Sequence, residues 1–250
     1  MGATSKERYA VVSCHVERPL DDAVWARFSA LQETRPGGLI VAALMRPADP
    51  SADEDESRWL DRAREAAARG PVGHHTHWTA PDHARPTNGD TGARVRAEGA
   101  RMAELGLAPS IFCGGGWYTD ADVAEACAEL GYLDCTPRAA RPPYLGQGGR
   151  WASLPSPANV RLPSGRLLPV IPTTHSLGDA ARALLLRQAL PVVIHVYFHD
   201  TDLLDRRRRA LISVFLPLLA RRSHASDLVA LRAALLAAAP VATWDDVTRL

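Results

Sequence analysis

Residues 8–17 read RYAVVSCHVE, an apolar run that ends in polar side chains and predicts the first β-strand of the chain. Asp21 and Asp22 then open a helix, which Pro36-Gly-Gly38 closes. The same succession of strand and helix continues to the C-terminus. Such alternation is typical of a parallel α/β fold.

The other elements are predicted from apolar periodicity and from turn residues. Further strands are expected at residues 39–44, 72–77, 110–113, 132–135, 167–171, 192–199 and 241–244. Further helices are expected at 57–69, 92–105, 120–130, 177–189, 203–221 and 226–238. Thr119 and Asp122 resemble a capping box at the start of the fourth helix. Residues 136–166, rich in Pro, Gly and Arg, predict a long loop or small strands.

The composition excludes several classes of protein. The chain has 250 residues, 46% of them hydrophobic, and a formal net charge of +1, which is typical of a folded protein with a sizeable core. With no internal repeat or low-complexity linker, residues 1–250 predict a single domain. No apolar stretch approaches the roughly 18 residues that cross a membrane. The start, MGATSKERYA, lacks the apolar core of a signal peptide, so we expect a cytoplasmic protein without membrane contact.

Three further patterns exclude specific chemistries. Cys14, Cys113, Cys127 and Cys135 form no C-x-x-C pair and are expected to be thiols in a reducing compartment. Arg206 to Arg209 lie in a predicted helix, where their side chains point in different directions, so they do not indicate a nucleic-acid site. Gly146-Gln-Gly-Gly149 opens no helix after a strand, which favours a turn over a dinucleotide fingerprint.

Candidate functional residues collect at the ends of three predicted strands. Side chains alternate along a strand, so every second residue shares a face. The resulting sets are Ser13, His15 and Glu17; Gly73, His75 and His77; and His195, Tyr197 and His199. Active sites of parallel α/β folds lie at these C-terminal strand ends, so the three sets are expected to converge.

Two histidines and one carboxylate form a common ligand set for a divalent metal. Glu17, His75 and His77 supply this set here. His74 points to the opposite face and His83 lies in the following loop, so we treat both as bystanders. His195, between apolar neighbours, is expected to be a hydrogen-bonded core residue.

Five segments, in order, resemble the NodB-type polysaccharide deacetylases of the carbohydrate esterase 4 superfamily, and the likeness covers nearly the whole chain. They are Val12-Ser-Cys-His-Val-Glu17, Val72-Gly-His-His-Thr-His77, Phe112-Cys-Gly-Gly-Gly-Trp117 with Glu129-Leu-Gly-Tyr132, Val196-Tyr-Phe-His-Asp200 and Val241-Ala-Thr-Trp-Asp-Asp246. The resemblance implies a distorted parallel (β/α)7 barrel. It also implies metal-dependent removal of an N-acetyl group from a sugar-type substrate.

The resemblance assigns roles residue by residue. Glu17, His75 and His77 would hold the metal, with zinc as the default for mixed His and carboxylate ligands. His199 would be the general acid that protonates the departing amine, its ring held by Asp200 or Asp202. The family's metal histidines are usually spaced more widely than His75 and His77.

Two positions depart from the family pattern. The family base is an Asp where this chain has His15, and the family Arg that pairs with that Asp is Cys113 here. Because both partners of a charge pair change together, no unpaired buried charge remains. His15 is then either the base, since imidazole titrates near neutral pH, or a metal ligand beside Glu17. A nucleophilic role for Cys113 has no support in the sequence beyond its presence.

Aromatic residues lie beside these motifs. Trp78, Trp117 and Tyr118 either stack on a sugar ring or pack at the barrel rim, and Asp200 is a further candidate for substrate binding. We expect residues 136–166, with Trp117 and Tyr118, to wall a pocket for a small amino sugar, sugar conjugate or natural-product precursor.

Two other functions remain open at the level of sequence. One is a non-catalytic barrel that binds a glycan or a partner protein, which the His15 and Cys113 departures favour. The other is a metal-independent amide hydrolase that uses His15 and His199. The oligomeric state is not predicted.

Overall fold

The computed structural model describes residues 8–78, 85–86, 89–142, 145, 151–237 and 239–248. The bystander His83 and the predicted turn Gly146-Gln-Gly-Gly149 lie outside these residues. None of the described helices is both long and apolar enough to span a membrane.

Strands and helices alternate along the chain as expected. The strands are β1 (Tyr9–Val16), β2 (Val41–Met45), β3 (Val72–Thr76), β4 (Ile111–Gly114), β5 (Leu133–Asp134), β6 (Ala158–Arg161), β7 (Leu167–Val170), β8 (His175–Ser176), β9 (Val193–His199), β10 (His224–Ala225) and β11 (Val241–Thr243). The helices are α1 (Asp22–Thr34), α2 (Glu56–Ala67), α3 (Thr91–Glu104), α4 (Ala121–Glu129), α5 (Leu177–Leu185), α6 (Arg206–Ala220), α7 (Leu228–Leu236) and α8 (Trp244–Thr248).

The strands pair around a distorted, mostly parallel barrel. The order β5-β4-β3-β2-β1-β9-β8 is parallel throughout, and β7 pairs with the free side of β5. Residues 167–176 supply both β7 and β8, so this one segment reaches from β5 to β9. A backbone hydrogen bond from Ile171 N to Asp134 O joins this segment to β5. Another, from Thr174 N to His195 O, joins it to β9. The expected α/β class with a mostly parallel sheet is confirmed, and among the described strands β7 and β8 do not pair with each other.

A side sheet extends the barrel in the segment predicted as a loop or small strands. β6 runs antiparallel to β7, and β11 pairs in parallel with β6. β8 and β10 are strands of two residues that the sequence analysis did not predict. Such short strands carry too few side chains to show a period of two.

Alternation along β1 divides the core into two layers. Ala10, Val12 and Cys14 pack outward against helix residues such as Trp25 and Phe28. Val11 points inward and shares the barrel interior with Leu44, Ile111 and Leu133. Ser13 and His15 share the inward face of Val11 by this alternation.

Most helices that follow a strand begin at an aspartate whose side chain accepts a hydrogen bond from the first turn. These caps are Asp21, Asp55, Asp90, Asp120, Asp205 and Asp227, while Ser176 caps α5. The expected capping box of Thr119 with Asp122 is wrong. Asp120 is the cap of α4, because its carboxylate accepts from Val123 N.

Candidate metal centre

The two central strands of the barrel place His15 beside His199. In the parallel register of β1 and β9, His15 is paired with His199 and Ser13 with Tyr197. Their imidazole centroids lie 5.2 Å apart. Glu17 follows His15 by two residues and therefore continues the same face at the strand end.

β3 brings two more histidines to the same end of the barrel. Its register pairs His75 with Cys113 of β4, and the ring of His75 lies 4.5 Å from that of His15. Glu17 Oε1 lies 3.7 Å from His75 Nε2, 3.4 Å from His77 Nε2 and 3.5 Å from His199 Nε2. The predicted convergence of these residues is thus present in the structure.

Ligand atoms within reach of one another form three overlapping groups. Each keeps its atoms within 4.8 Å: Glu17, His75 and His77; His15, Glu17 and His199; and His15, His75 and Cys113. Among the described residues no four-membered group forms. Glu17 therefore belongs to two of these groups, one with His75 and His77 of the β3 segment and one with His15 and His199.

A backbone hydrogen bond determines which nitrogen of His75 is free. His75 Nδ1 lies 2.8 Å from the carbonyl oxygen of Cys113, which can only accept, so Nδ1 carries the proton. The neutral ring then presents a lone pair at Nε2. This atom is buried, has no hydrogen-bond partner among the described residues, and faces the Glu17 carboxylate. Two electron-rich groups face each other there, an arrangement that a cation between them would stabilise.

The electrostatics of the cluster suit metal ligation. Burial lowers the pKa of His15 well below its usual value, and the neighbouring His75 and His199 lower it further. Burial likewise lowers the pKa of His75. For Glu17, burial raises the pKa, but the adjacent rings of His75, His77 and His199 outweigh it, so the net shift is downward. Neutral imidazoles beside an ionised carboxylate are the protonation states a metal requires.

His15 lies at the centre of the cluster with an unsatisfied nitrogen. It is buried, and its ring contacts those of Trp117 and Tyr197. Within the part of the chain that the structure describes, its Nε2 has no hydrogen-bond partner. Leaving a buried nitrogen without a hydrogen-bond partner costs free energy of folding, so this atom calls for an explanation. Binding a ligand or exchanging a proton at Nε2 would provide one. The geometry is compatible with both predicted roles of His15, base and metal ligand.

The loop after β9 corrects one expectation. Asp200 is fully buried, and its carboxylate accepts from the backbone N–H groups of Arg18 and Thr201. Asp202 accepts from the backbone N–H of His199. Because both carboxylates accept hydrogen bonds from backbone N–H groups, neither orients the His199 ring as expected. Asp200 stabilises the loop rather than binding a substrate. The ring of His199 instead faces Glu17, with 36% of its side chain exposed.

The aromatic candidates have different surroundings. Trp78 is buried, and its indole N–H donates to Gly115 O, so packing is favoured over sugar stacking. Trp117 and Tyr118 line a cleft of about 290 Å³ together with Trp151 and Ala152. Residues 151–152 belong to the segment 136–166, so part of that segment lines this cleft beside Trp117 and Tyr118.

The remaining histidine and cysteine predictions concern structure. His195 is fully buried and hydrogen-bonds Ser13 Oγ at 2.8 Å, which confirms it as a core residue. His74 pairs with Glu98 of α3 on the outer face of the sheet. All four cysteines are free and buried, and burial raises the pKa of Cys113, so this thiol is not activated.

Sequence reasoning missed Arg138. It follows β5 in the segment predicted as a loop, and its guanidinium packs over the rings of Trp117 and Tyr197. No periodic pattern surrounds Arg138, so the only signal was an arginine shortly after a strand end.

Comparison with known proteins supports the fold. No family model matches the chain, and no curated protein is significantly similar to it. A 4-alpha-glucanotransferase from Thermococcus litoralis matches with a TM-score of 0.57 and 11% identity over 95% of this chain and 42% of its own. This chain thus spans less than half of that protein.

A second solved structure connects the fold to the expected family. It is a mutant of a CE4 family pseudoenzyme with restored enzymatic activity, with a TM-score of 0.52 and 11% identity over 90% of this chain and 68% of its own. The chain therefore has the NodB-like fold. At this identity, the likeness carries the architecture and no activity.

Proposed function

We propose that this protein is a metal-dependent hydrolase that removes an N-acetyl or similar acyl group from a small amino sugar, sugar conjugate or natural-product precursor. The observation that carries the proposal is the buried Nε2 lone pair of His75 facing the carboxylate of Glu17. The NodB-like fold supports the same reaction class, although it fixes neither substrate nor metal.

Glu17, His75 and His77 would hold the ion. Two imidazoles and one carboxylate with an open side are the donor set of many hydrolytic metal sites, with zinc as the default. The hydrogen bond from His75 Nδ1 to Cys113 O fixes the ring in the orientation that such a ligand needs. A bound divalent ion would polarise the amide carbonyl and lower the pKa of water.

The chain's own residues divide the proton transfers. His15 is buried, and the low pKa that burial gives it keeps the imidazole neutral, as a general base must be. His199 lies across the cluster with a partly exposed side chain, where it can meet the leaving nitrogen of a substrate. A proton taken up at His15 and another released at His199 complete the hydrolysis of the amide.

A non-catalytic barrel that binds a glycan is the second candidate. The observation that favours it is that His15 and Cys113 replace the charge pair of the resembled family. The CE4 neighbour, described as a pseudoenzyme with activity restored by mutation, illustrates that a barrel of this fold can lack activity.

Metal content distinguishes the two candidates. The full chain should purify with, or take up, about one divalent ion, measured by elemental analysis after dialysis. His75→Ala and Glu17→Gln should lose that ion, because each removes one of three ligands. His224→Ala, at an exposed position, is the matched control and should keep it.

Activity is then measured on N-acetylated monosaccharides and glycosides. Loss of hydrolysis together with metal in His75→Ala would support the proposal. Full metal occupancy in a His75→Ala, His77→Ala double variant would contradict it, and a wild-type chain that binds no metal would favour the glycan-binding candidate.

A further inference from the structure

Arg138 combines deep burial with an unfilled donor. The residue is 3% exposed, and its Nη1 has no hydrogen-bond partner in the described ranges of the chain. The hydrogen bond of its guanidinium that the structure describes runs from Nε to Ala140 O at 3.3 Å. Among the described residues, no carboxylate forms an ion pair with it. Burying a cation whose N–H donors have no acceptor costs free energy of folding unless an anion pairs with it.

The backbone holds Arg138 rigidly on both sides. Arg138 N donates to Ala152 O, and Leu154 N donates to Arg138 O. On the other side, Ala139 N donates to Thr173 O. These bonds anchor the segment after β5, so the side chain is placed before any ligand arrives, which lowers the entropic cost of binding.

Two aromatic rings contact both the guanidinium of Arg138 and the ring of His15 in the candidate metal centre. The guanidinium carbon lies 4.5 Å from the ring centroid of Trp117 and 5.1 Å from that of Tyr197. Both rings also contact His15, at 5.2 and 5.3 Å between centroids. Arg138 is therefore one aromatic layer away from His15. Burial is the main cause of the lowered pKa of His195, and the charge of Arg138 adds to it.

Both rings border open space. Trp117 lines the cleft of about 290 Å³ described above. Tyr197 lines a second cleft of about 410 Å³ together with His199. The first cleft thus borders one of the two rings that contact Arg138, and the second borders the other ring together with His199.

We propose that Arg138 binds an oxyanion group, a carboxylate or a phosphoryl group, on the substrate that is hydrolysed at the neighbouring cluster. The planar guanidinium forms paired hydrogen bonds with either group, and the two rings keep its donors from turning away. The inference rests on the proposed function for the identity of the ligand as substrate, but the anion site itself needs no metal. The substrate class is then an acidic or phosphorylated amino sugar rather than a neutral one.

Anion binding to the full chain tests the site, with inorganic phosphate and acetate as probes in calorimetric titrations. Wild type should bind at least one of them, and Arg138→Gln should weaken that binding about 10- to 100-fold, the effect of losing charged hydrogen bonds. Arg138→Lys keeps the positive charge but lacks the paired N–H donors of the guanidinium, so the loss of anion affinity should be intermediate. Arg206→Gln, an exposed arginine with the same change of charge, should bind as wild type does.

A metal-binding variant separates this inference from the proposed function. His75→Ala should lose the ion and retain anion binding, since Arg138 is unchanged. Equal binding by wild type and Arg138→Gln, or no binding of either probe by wild type, would overturn the anion site whatever the metal content shows.

Substrate comparison then separates the two oxyanion sources. Deacetylation of an N-acetylated amino sugar bearing a carboxylate, and of one bearing a phosphate, is measured in wild type and in Arg138→Gln. The variant should raise KM for the matching acidic substrate and leave the neutral parent unaffected. A similar loss on the neutral sugar would show that Arg138 only supports the rings.

Discussion

The exchange of two residues at neighbouring strands explains how the cluster tolerates its departures from the resembled family. Cys113 gives a buried thiol with a raised pKa where the family has a guanidinium, and His15 gives a neutral imidazole where it has a carboxylate. Keeping either charge alone would leave a buried ion without its partner, at a cost of several kcal/mol. The pair of changes therefore leaves neither a buried cation nor a buried anion without its partner at these two positions.

His199 provides a test of the assigned roles at the residue scale. His199→Ala should lower kcat by about 10²–10⁴, the usual contribution of a general acid, while metal content stays at the wild-type level. Elemental analysis and initial rates on the same preparations measure both quantities. A variant that loses metal together with activity would assign His199 to the ligand group of His15 and Glu17 instead.

Strand alternation predicts the cluster well because the site uses regular β-structure. His15, Glu17, His75, His77 and His199 are at every second position near strand ends, so period and register alone bring them together. Arg138 and Asp200 lie in connections after strands. The partners of such residues depend on tertiary contacts, such as the bond from Arg18 N to Asp200, that no local pattern contains.

At the scale of elements, Gly73 in β3 shows how closely the strands pack. A Cβ there would lie 2.5 Å from Leu44 Cδ2 and 2.9 Å from the backbone oxygen of Ile111. Gly73→Ala should therefore destabilise the protein by about 1–3 kcal/mol, the usual cost of overpacking. Urea unfolding followed by circular dichroism measures the change.

Gly178 is the matched control, because it is also a glycine within a regular element. A Cβ at Gly178, in the first turn of α5, would meet nothing closer than Ser176 Oγ at 4.0 Å. Gly178→Ala should leave stability unchanged or raise it by up to about 1 kcal/mol through helix propensity. Equal effects of the two substitutions would contradict the close packing around β3.

Helices of several turns were predictable, whereas the two-residue strands β8 and β10 were not. The helix predicted at 92–105 is α3 (Thr91–Glu104), since its periodicity extends over several turns. β8 has two residues, and its pairing with β9 depends on tertiary contacts rather than on a local sequence pattern. The span of residues 167–176 from β5 to β9 was therefore not visible in the sequence, although the α/β class was.

At the scale of the whole molecule, the buried His195 should make stability depend on pH. Burial lowers the pKa of His195 from 6.5 to about 3. In the unfolded chain this imidazole takes up a proton below pH 6.5, and the folded protein cannot follow until about pH 3. The contribution of neutral His195 to the free energy of unfolding is thus fully present above pH 6.5 and is lost as the pH falls toward 3.

The magnitude is measurable as a difference between two proteins. Between pH 7 and pH 5, His195 should account for about 2 kcal/mol of lost unfolding free energy. Burial raises the pKa of Asp134 and of Asp200 to about 6, which favours the folded state as the pH falls. Because wild type and His195→Gln share these carboxyls, the difference between their urea-unfolding free energies isolates His195. A pH-independent difference would contradict the lowered pKa.

The aspartate caps have an electrical consequence for the barrel mouth. Helices that connect parallel strands all turn their N-terminal ends toward the C-terminal edge of the sheet, where Glu17 and the histidines lie. Each such end carries about half a positive elementary charge from its aligned peptide dipoles. Together they would create a field that repels a divalent ion. Five carboxylates, those of Asp21, Asp55, Asp90, Asp120 and Asp205, sit directly on these ends and offset that field. The rim can therefore admit a cation even though Glu17 is the single acidic member of the ligand groups.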